Sequence, residues 1–400
     1  MLNEVKPKNE ETLYEKPGLM RKNIQNLEIK IESTFPTNQK IGFIQEEKHQ
    51  PQKEKQQGTK NKKDPIDLLL NLNSMKEIFA KNNSQFLENF ELLEPIKAGS
   101  AGAVYKAKTK NKSKNLEKFV ACKILPNIIK VKIHQNLIKI HKEVLIHKKL
   151  HHKNIPEIFG FYPVGDNYSC LMMEFNKYGD LENFKRKILK RSCLSETLLC
   201  YLAGGIIEAL SYINKKKVIH MDIKQQNILI DECLNVKITD YSVSVYFGDN
   251  KNYIYLPMVG TCYYMSPEVI SQQKIEISEA SKIDIYSFGI LLYLLAFNDY
   301  PYDLDIIDSK NYSLMYKNIK EKELVFPKDT GHSEMFKNFV RKCLDKDIKT
   351  RYDIYQAMND PWIKGYQIIA NEKEYLYNAG KFMIEMMVDE IKAFQDYVKS

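Results

Sequence analysis

The sequence predicts an α+β protein with a bilobal fold, a small β-rich N-lobe with one main helix followed by a larger, mainly helical C-lobe. Between residues 90 and 175 the chain is mostly short apolar, β-rich runs, "FELLEPI", "AVYKAK", "KFVACKIL" and "SCLMMEF", which suit strands of a small antiparallel sheet. One segment with helical spacing, around Ile138 to Leu150, interrupts them. After Gly179 the pattern turns helical, most clearly in "LSETLLCYLAGGIIEALSYIN", "SKIDIYSFGILLYLLAF" and "MFKNFVRKCL". With 400 residues and 44% hydrophobic content, the chain can bury a core of that size.

In chain order, residues 1–64 are rich in Lys, Glu, Gln and Asn, and "EEKHQPQKEKQQGTKNKKD" offers almost nothing to bury. That composition predicts a disordered arm. Residues 65–89, with Leu69, Leu70, Leu72, Ile78 and Phe79, read as a helical lead-in. The main domain then covers 90–363, with the N-lobe at 90–173, a short connector at 174–178 and the C-lobe at 179–363, ending near "DPWI". In 364–400, Phe382, Met383, Met386, Met387, Ile391 and Phe394 recur at helical spacing. This C-terminal helical extension is expected to pack on the large lobe, with partner contact as the alternative.

A formal charge of +9 on 400 residues is modest, so no nucleic-acid partner is expected. The seven cysteines are scattered and never form a C-x-x-C pair, which argues against a disulfide framework or a zinc site and for a reducing compartment. The N-terminus "MLNEVKPKNE" has no apolar signal core and no glycine at position 2. The longest apolar run, "YSFGILLYLLAF", is shorter than the ~20 residues of a membrane span. The expectation is a soluble protein of the cytoplasm, with the nucleus as the alternative.

Three constellations carry chemistry. In "IKAGSAGAVYKAK", Gly99 and Gly102 lie between two β-like runs, where backbone amides can approach phosphate oxygens with no Cβ in the way. In "FVACKIL", Lys123 sits in an apolar strand and needs a partner if its charge is buried; Glu143 in the following helix is a candidate. In "VIHMDIKQQNILI", followed by "ITDYSVS", Asp222 can orient a hydroxyl, Lys224 can neutralise phosphate, and Asn227 with Asp240 can hold magnesium. Taken singly, each has an ordinary structural reading: a hairpin, an edge lysine, a polar turn.

As an ordered set, these segments resemble the protein-kinase superfamily over about residues 90 to 363. The resemblance implies that Lys97, Ala98, Gly99, Ser100, Ala101, Gly102 and Val104 form the nucleotide-covering loop. It implies that Ala121, Met173, Glu174, Asn176, Asp180 and Leu229 surround adenine and ribose, with Met173 as gatekeeper. Lys123 matches the lysine on the α- and β-phosphates and Glu143 its helical partner. Asp222 and Lys224 match the catalytic pair, and Asn227 and Asp240 the metal ligands. "GTCYYMSPE" resembles the end of the activation segment, with Glu268 paired to Arg351, and Lys224 and Thr261 are in the serine/threonine form. The implied cofactors are ATP and Mg2+, with Mn2+ possible, and the implied partner is a protein substrate with a Ser or Thr acceptor.

Several positions depart from the family pattern. Lys97 replaces the first loop glycine. Met221 replaces the arginine that normally reads a phosphate on the activation segment, and no Ser or Thr lies between Ser244 and Thr261. The expectation is an enzyme that needs no activation-loop Ser/Thr phosphorylation. Ser242 replaces the glycine of D-F-G, and the interlobe stack would read Ile158, His147, Tyr241, His220. Gln226 and Leu294 stand where arginine-directed kinases carry acids, so strong preference for arginine at the second position before the acceptor is not expected. The leading expectation is therefore an active serine/threonine kinase, and the alternative a pseudokinase that binds nucleotide or partners. A small-molecule kinase is disfavoured by "GTCYYMSPE".

Overall fold

The computed structural model describes residues 72–82, 84–99, 102–110, 119–127, 129–133, 136–140, 142–164, 167–190, 192–248, 252–303, 311–328 and 331–365. The arm at 1–64, the lead-in before Leu72, Ser100, Ala101 and the extension from 366 to 400 lie outside the described residues. The α+β organisation predicted above is present, in two compact units.

The β-rich unit opens with two helices, α1 (Leu72–Asn82) and α2 (Ser84–Asn89). Then come β1 (Phe90–Gly99), β2 (Gly102–Thr109) and β3 (Phe119–Pro126), and a hairpin of β4 (Ile129–Ile133) and β5 (Asn136–Ile140). After α3 (Lys142–His147), which belongs to the helical unit, β6 (Ile158–Val164) and β7 (Tyr168–Glu174) complete a five-stranded sheet in the order β1-β2-β3-β7-β6. β2 alternates buried and half-buried residues, the period of a strand with one face on a core. The lead-in helices belong to that core: Phe79 stacks on Phe86 at 4.2 Å, and Phe86 meets Tyr162 of β6 edge-on at 5.4 Å.

The helix expected around Ile138 to Leu150 is shorter than its spacing suggested. Ile129 to Ile133 alternate Ile or Val with Lys, a period of two that favours a strand, and β-branched residues fit a pleated surface better than a helix. β4 accordingly pairs antiparallel with β5, Ile129 opposite Ile140, and helix begins only at Lys142.

The helical unit continues with α4 (Leu181–Asn183), capped by Asp180, and a π turn at Phe184–Ile188. Then follow α5 (Glu196–Lys215), β8 (Val218–Ile219), β9 (Ile228–Ile230), β10 (Val236–Ile238), β11 (Val245–Tyr246) and β12 (Tyr253–Tyr255). α6 (Pro267–Ile270), β13 (Lys274–Glu276), α7 (Ala280–Phe297), α8 (Tyr312–Glu321), α9 (Glu334–Cys343) and α10 (Ile354–Asn359) complete it.

α7 is apolar around its whole circumference because it runs through the middle of the core, and Asn298 stops it in the left-handed conformation at φ 55°. α5 and the segment Ile277–Phe297 are long and apolar enough to cross a membrane, but 72% and 89% of these stretches are buried in the fold, as core helices are. Trp362 closes the unit against Phe336 and Phe339, its indole N–H donating to Glu196 Oε1 at 3.1 Å.

Candidate active site

The segment His220–Asn227 links β8, which pairs with β11, to β9, which pairs with β10. Asp284, near the start of α7, fixes its beginning. Its Oδ2 accepts from the backbone N–H of His220 at 2.8 Å and its Oδ1 from that of Met221 at 2.9 Å. Burial pushes the Asp284 carboxyl up, while the neighbouring His220 ring and the backbone amides of His220 and Met221 pull the other way. The His220 Nδ1 accepts from the Asp222 N–H at 3.3 Å. Its Nε2 therefore carries the proton and donates to the Thr239 carbonyl at 3.0 Å. One ring thus ties the loop to the strand end that carries Asp240.

Asp222 lies at the centre of a dense set of donors. Its Oδ2 is 2.7 Å from Lys224 Nζ and accepts from Asn227 Nδ2 at 2.9 Å. Its Oδ1 accepts from the Thr261 N–H at 2.8 Å and from Thr261 Oγ1 at 2.7 Å. Lys224 Nζ also donates to Thr261 Oγ1 at 2.5 Å. A carboxylate held by four donors from three residues keeps one orientation, and hydrogen bonds to a charged acceptor are the strong ones. That is the arrangement for aligning a hydroxyl and receiving its proton.

Asn227 spends its amide nitrogen on Asp222, donating to both the side chain and the backbone carbonyl. Its Oδ1 is left as an acceptor. Asp240 follows Thr239, whose N–H donates to the Asn227 carbonyl at 3.0 Å, and it adopts φ 71°, in the left-handed region that aspartate enters more readily than most side chains. One carboxylate and one amide oxygen suit magnesium, which takes few protein ligands and completes its shell with phosphates and water. Among the described residues, no group of three or more His, Cys, Asp or Glu would hold a metal by itself.

Behind the site three rings pack against one another in tilted and edge-on contact. Tyr241 lies 4.8 Å from His147 and 5.0 Å from His220, all three fully buried. His147 Nε2 bonds the Pro156 carbonyl at 3.0 Å, and Tyr241 Oη donates to the Ile238 carbonyl at 3.2 Å. Burial raises the Tyr241 hydroxyl pKa well above its ordinary range. The Tyr241 hydroxyl and one His147 ring nitrogen thus each bond a backbone carbonyl outside the ring set, and Ile158 is half-buried at the start of β6.

Met221, the methionine between His220 and Asp222, is buried in an apolar cluster with Phe247, Ile254, Leu256, Cys262 and Met265. The segment after Asp240 is therefore held by side-chain packing, and β12 adds antiparallel pairing with β13. Farther along, Arg351 forms a bidentate pair with Glu268, Nη1 to Oε1 at 2.5 Å and Nη2 to Oε2 at 3.0 Å. Arg351 also donates to the carbonyls of Asp345 and Lys282 and covers the Tyr286 ring at 4.8 Å.

The remaining predicted residues are placed as follows. On the β1–β2 hairpin, Lys97 is opposite Val104, Ala98 opposite Ala103 and Gly99 opposite Gly102. Gly102 adopts φ 124°, and a Cβ there would stand 2.1 Å from the Ile124 carbonyl, so the close approach of β2 to β3 requires glycine. Lys123 and Ala121 are buried on β3, and Glu143 is buried at the start of α3.

Met173 is buried at the end of β7. Glu174 pairs with the buried Lys237 at 3.0 Å, while Asn176 Nδ2 donates to the Glu174 carbonyl at 3.3 Å. Asp180 Oδ1 accepts from the Asn183 N–H at 2.8 Å, and its backbone bridges to Leu229. Sequence reasoning missed the Glu174–Lys237 pair; its one signal was a lysine inside the apolar strand "VKI". It also missed Asp284 as the acceptor for two loop amides, which only the folded backbone discloses.

Residues 90–363 match the family model described as the protein kinase domain. The chain is 29% identical over 316 residues to MAP kinase kinase MKK1/SSP32 of Saccharomyces cerevisiae, a match covering 74% of this chain and 58% of that protein. It is 28% identical over 280 residues to the Aurora kinase of Schizosaccharomyces pombe, covering 70% of this chain and 72% of that one. It is 31% identical over 283 residues to serine/threonine-protein kinase pakH of Dictyostelium discoideum, covering 69% of this chain and 50% of that protein.

Proposed function

Because the chain belongs to the protein kinase family, we propose that it is an active serine/threonine protein kinase that transfers the γ-phosphate of MgATP to hydroxyls of protein substrates. One observation carries the proposal: Lys224, Asn227 and Thr261 converge on the Asp222 carboxylate. In the proposed reaction the acceptor oxygen bonds the γ-phosphorus as the bond to the β–γ bridging oxygen breaks, and the hydroxyl proton passes to Asp222. Lys224, 2.7 Å from Asp222, would balance charge on the phosphoryl group in transit. Magnesium bound by Asn227 and Asp240 would neutralise phosphate charge.

The same reading extends to control. The Met221 cluster and the β12–β13 pairing support a kinase whose activation segment is ordered by packing, with no need for a phosphorylated Ser or Thr in it. The departures Lys97, Met221 and Ser242 favour the second reading, a pseudokinase. The deciding experiment follows phosphate transfer from labelled ATP to a generic protein, with magnesium or manganese, for the unmodified chain, Asp222→Asn and Asp240→Asn. Transfer abolished by both changes is the expected result. A folded, unmodified chain that transfers nothing would instead favour the pseudokinase.

A further inference from the structure

We infer that a surface pocket beside the Asp222 loop is a subsite for an anionic side chain of the protein substrate, a carboxylate or a phosphate ester. The inference rests on the kinase reading above and names what that kinase selects.

The pocket holds about 540 Å³ and lies between the π turn Phe184–Ile188, the Gln225 turn and the end of α7. Three cations line it, Lys185, Arg186 and Lys190, against one carboxylate, Glu182. Glu182 is already engaged, its Oε2 accepting from Gln226 Nε2 at 3.0 Å. Among the described residues, no carboxylate stands within ion-pairing distance of Lys185 or Arg186.

Lys185 is the most informative of these residues. It is only 7% exposed, and its ammonium donates to Asn298 Oδ1 at 3.1 Å, leaving two of its three donors for another acceptor. Holding a cation this deep is costly: burial lowers its pKa, and the nearby Glu182 carboxylate offsets only part of that. An incoming anion would repay that cost and satisfy the remaining donors.

Position links the pocket to the chemistry. Gln225 lines it and stands three residues after Asp222, a reach of about 10 Å at most along an extended chain. The anion would therefore come from a residue close to the acceptor. Leu294, at one of the positions where an arginine-directed kinase would carry an acid, lines the same pocket and presents only an apolar side chain. A substrate arginine would meet three like charges, so the site discriminates by repulsion as well as by attraction.

The test uses the full chain and a family of serine peptides with neutral flanks. Glutamate, phosphoserine, glutamine or arginine is placed at each of the residues just before the acceptor. Transfer is measured as kcat/KM with MgATP, and binding of fluorescent versions by anisotropy without ATP. At one position, glutamate or phosphoserine should improve both quantities over glutamine by about tenfold, the worth of one charge-assisted hydrogen bond, and arginine should worsen them.

The double change Arg186→Glu with Lys190→Glu, at two exposed side chains, should erase or reverse that order. A gain from glutamate identifies an acid-directed kinase; a gain from phosphoserine alone identifies one that follows an earlier phosphorylation. Equal binding of the glutamate, phosphoserine and glutamine peptides, or a preference that survives the double change, would overturn the subsite. Absence of transfer to every peptide, with the binding order intact, would count against the kinase reading and leave the subsite standing.

Discussion

Gly260 turns at φ 103° directly over the backbone of Met221, so close that a Cβ would stand 2.3 Å from the Met221 carbonyl oxygen. The next residue, Thr261, supplies two of the donors that hold Asp222. The turn that ends the activation segment and the loop that carries Asp222 are thus in register only because residue 260 has no side chain. In Gly260→Ala the added carbon must push the turn away from a backbone atom that cannot yield, carrying Thr261 with it. A misplacement near 1 Å is worth about 10²-fold in rate, so kcat should fall by that order. The thermal melting point checks the cause: the fall in kcat must exceed any loss of folded protein.

Met221 tests whether packing has taken over the work of a phosphate-reading arginine. Met221→Leu keeps volume and apolarity and should cost less than about 1.5 kcal/mol. Met221→Arg would place an unpaired cation among Phe247, Ile254 and Leu256 and should cost about 3–5 kcal/mol, read as a shift in urea midpoint. An arginine variant as stable as the parent, and newly responsive to phosphorylation of its activation segment, would mean that the site still accommodates the charged arrangement.

The elements that sequence reasoning placed well are those whose cause is local. The strands at Phe90–Gly99 and Phe119–Pro126 and the helices at Glu196–Lys215 and Ala280–Phe297 follow from periodicity and apolar content over many residues. The misplaced helix start around Ile138 shows the limit: its first three residues, Ile138 to Ile140, pair with β4, and two short Ile-rich runs at the period of a strand favour a hairpin there. At the site, the resemblance of the ordered motifs to the kinase family singled out Asp222, Lys224 and Asn227. It could not disclose that Thr261, 39 residues beyond Asp222, closes the same cluster, because that contact depends on the turn at Gly260. The Lys185 pocket was illegible for the same reason, since it is assembled from the π turn, the Gln225 turn and the end of α7.

His147 and Tyr241, 4.8 Å apart, form the polar part of the ring stack. His147→Leu removes the partner of the buried Pro156 carbonyl and should destabilise the fold by about 1–3 kcal/mol. Phosphate transfer should fall as well, because the ring against Tyr241 is lost. A leucine variant with raised activity would show the pairing to be dispensable.

The Arg351–Glu268 pair is buried at both ends, and Arg351 is fully enclosed. Arg351→Lys keeps the charge but cannot reproduce two parallel hydrogen bonds to one carboxylate. Removal of either partner alone should cost about 3–5 kcal/mol by stranding the other. The double change to apolar residues should cost less than the sum of the two, measured as coupling in a cycle of urea denaturations. Strict additivity would show that the two side chains act independently despite their geometry.

Asp284 gives a pH dependence whose sign can be worked out. Its folded pKa lies above the unfolded value because burial disfavours the carboxylate. The stability it contributes is therefore fully present below the unfolded pKa, about 3.9, and declines as pH rises through the raised folded value. Asp284→Asn carries no charge and keeps one acceptor for the amides of His220 and Met221, so it escapes that decline. The stability gap between parent and Asp284→Asn should narrow as pH rises from the unfolded pKa through the raised folded one, as followed by urea denaturation. Asp284→Ala leaves two amides without an acceptor, at about 1–3 kcal/mol each, and should be the less stable variant at every pH. A gap to Asp284→Asn that widened with pH would mean that the two amides outweigh burial and hold the carboxyl below its ordinary range.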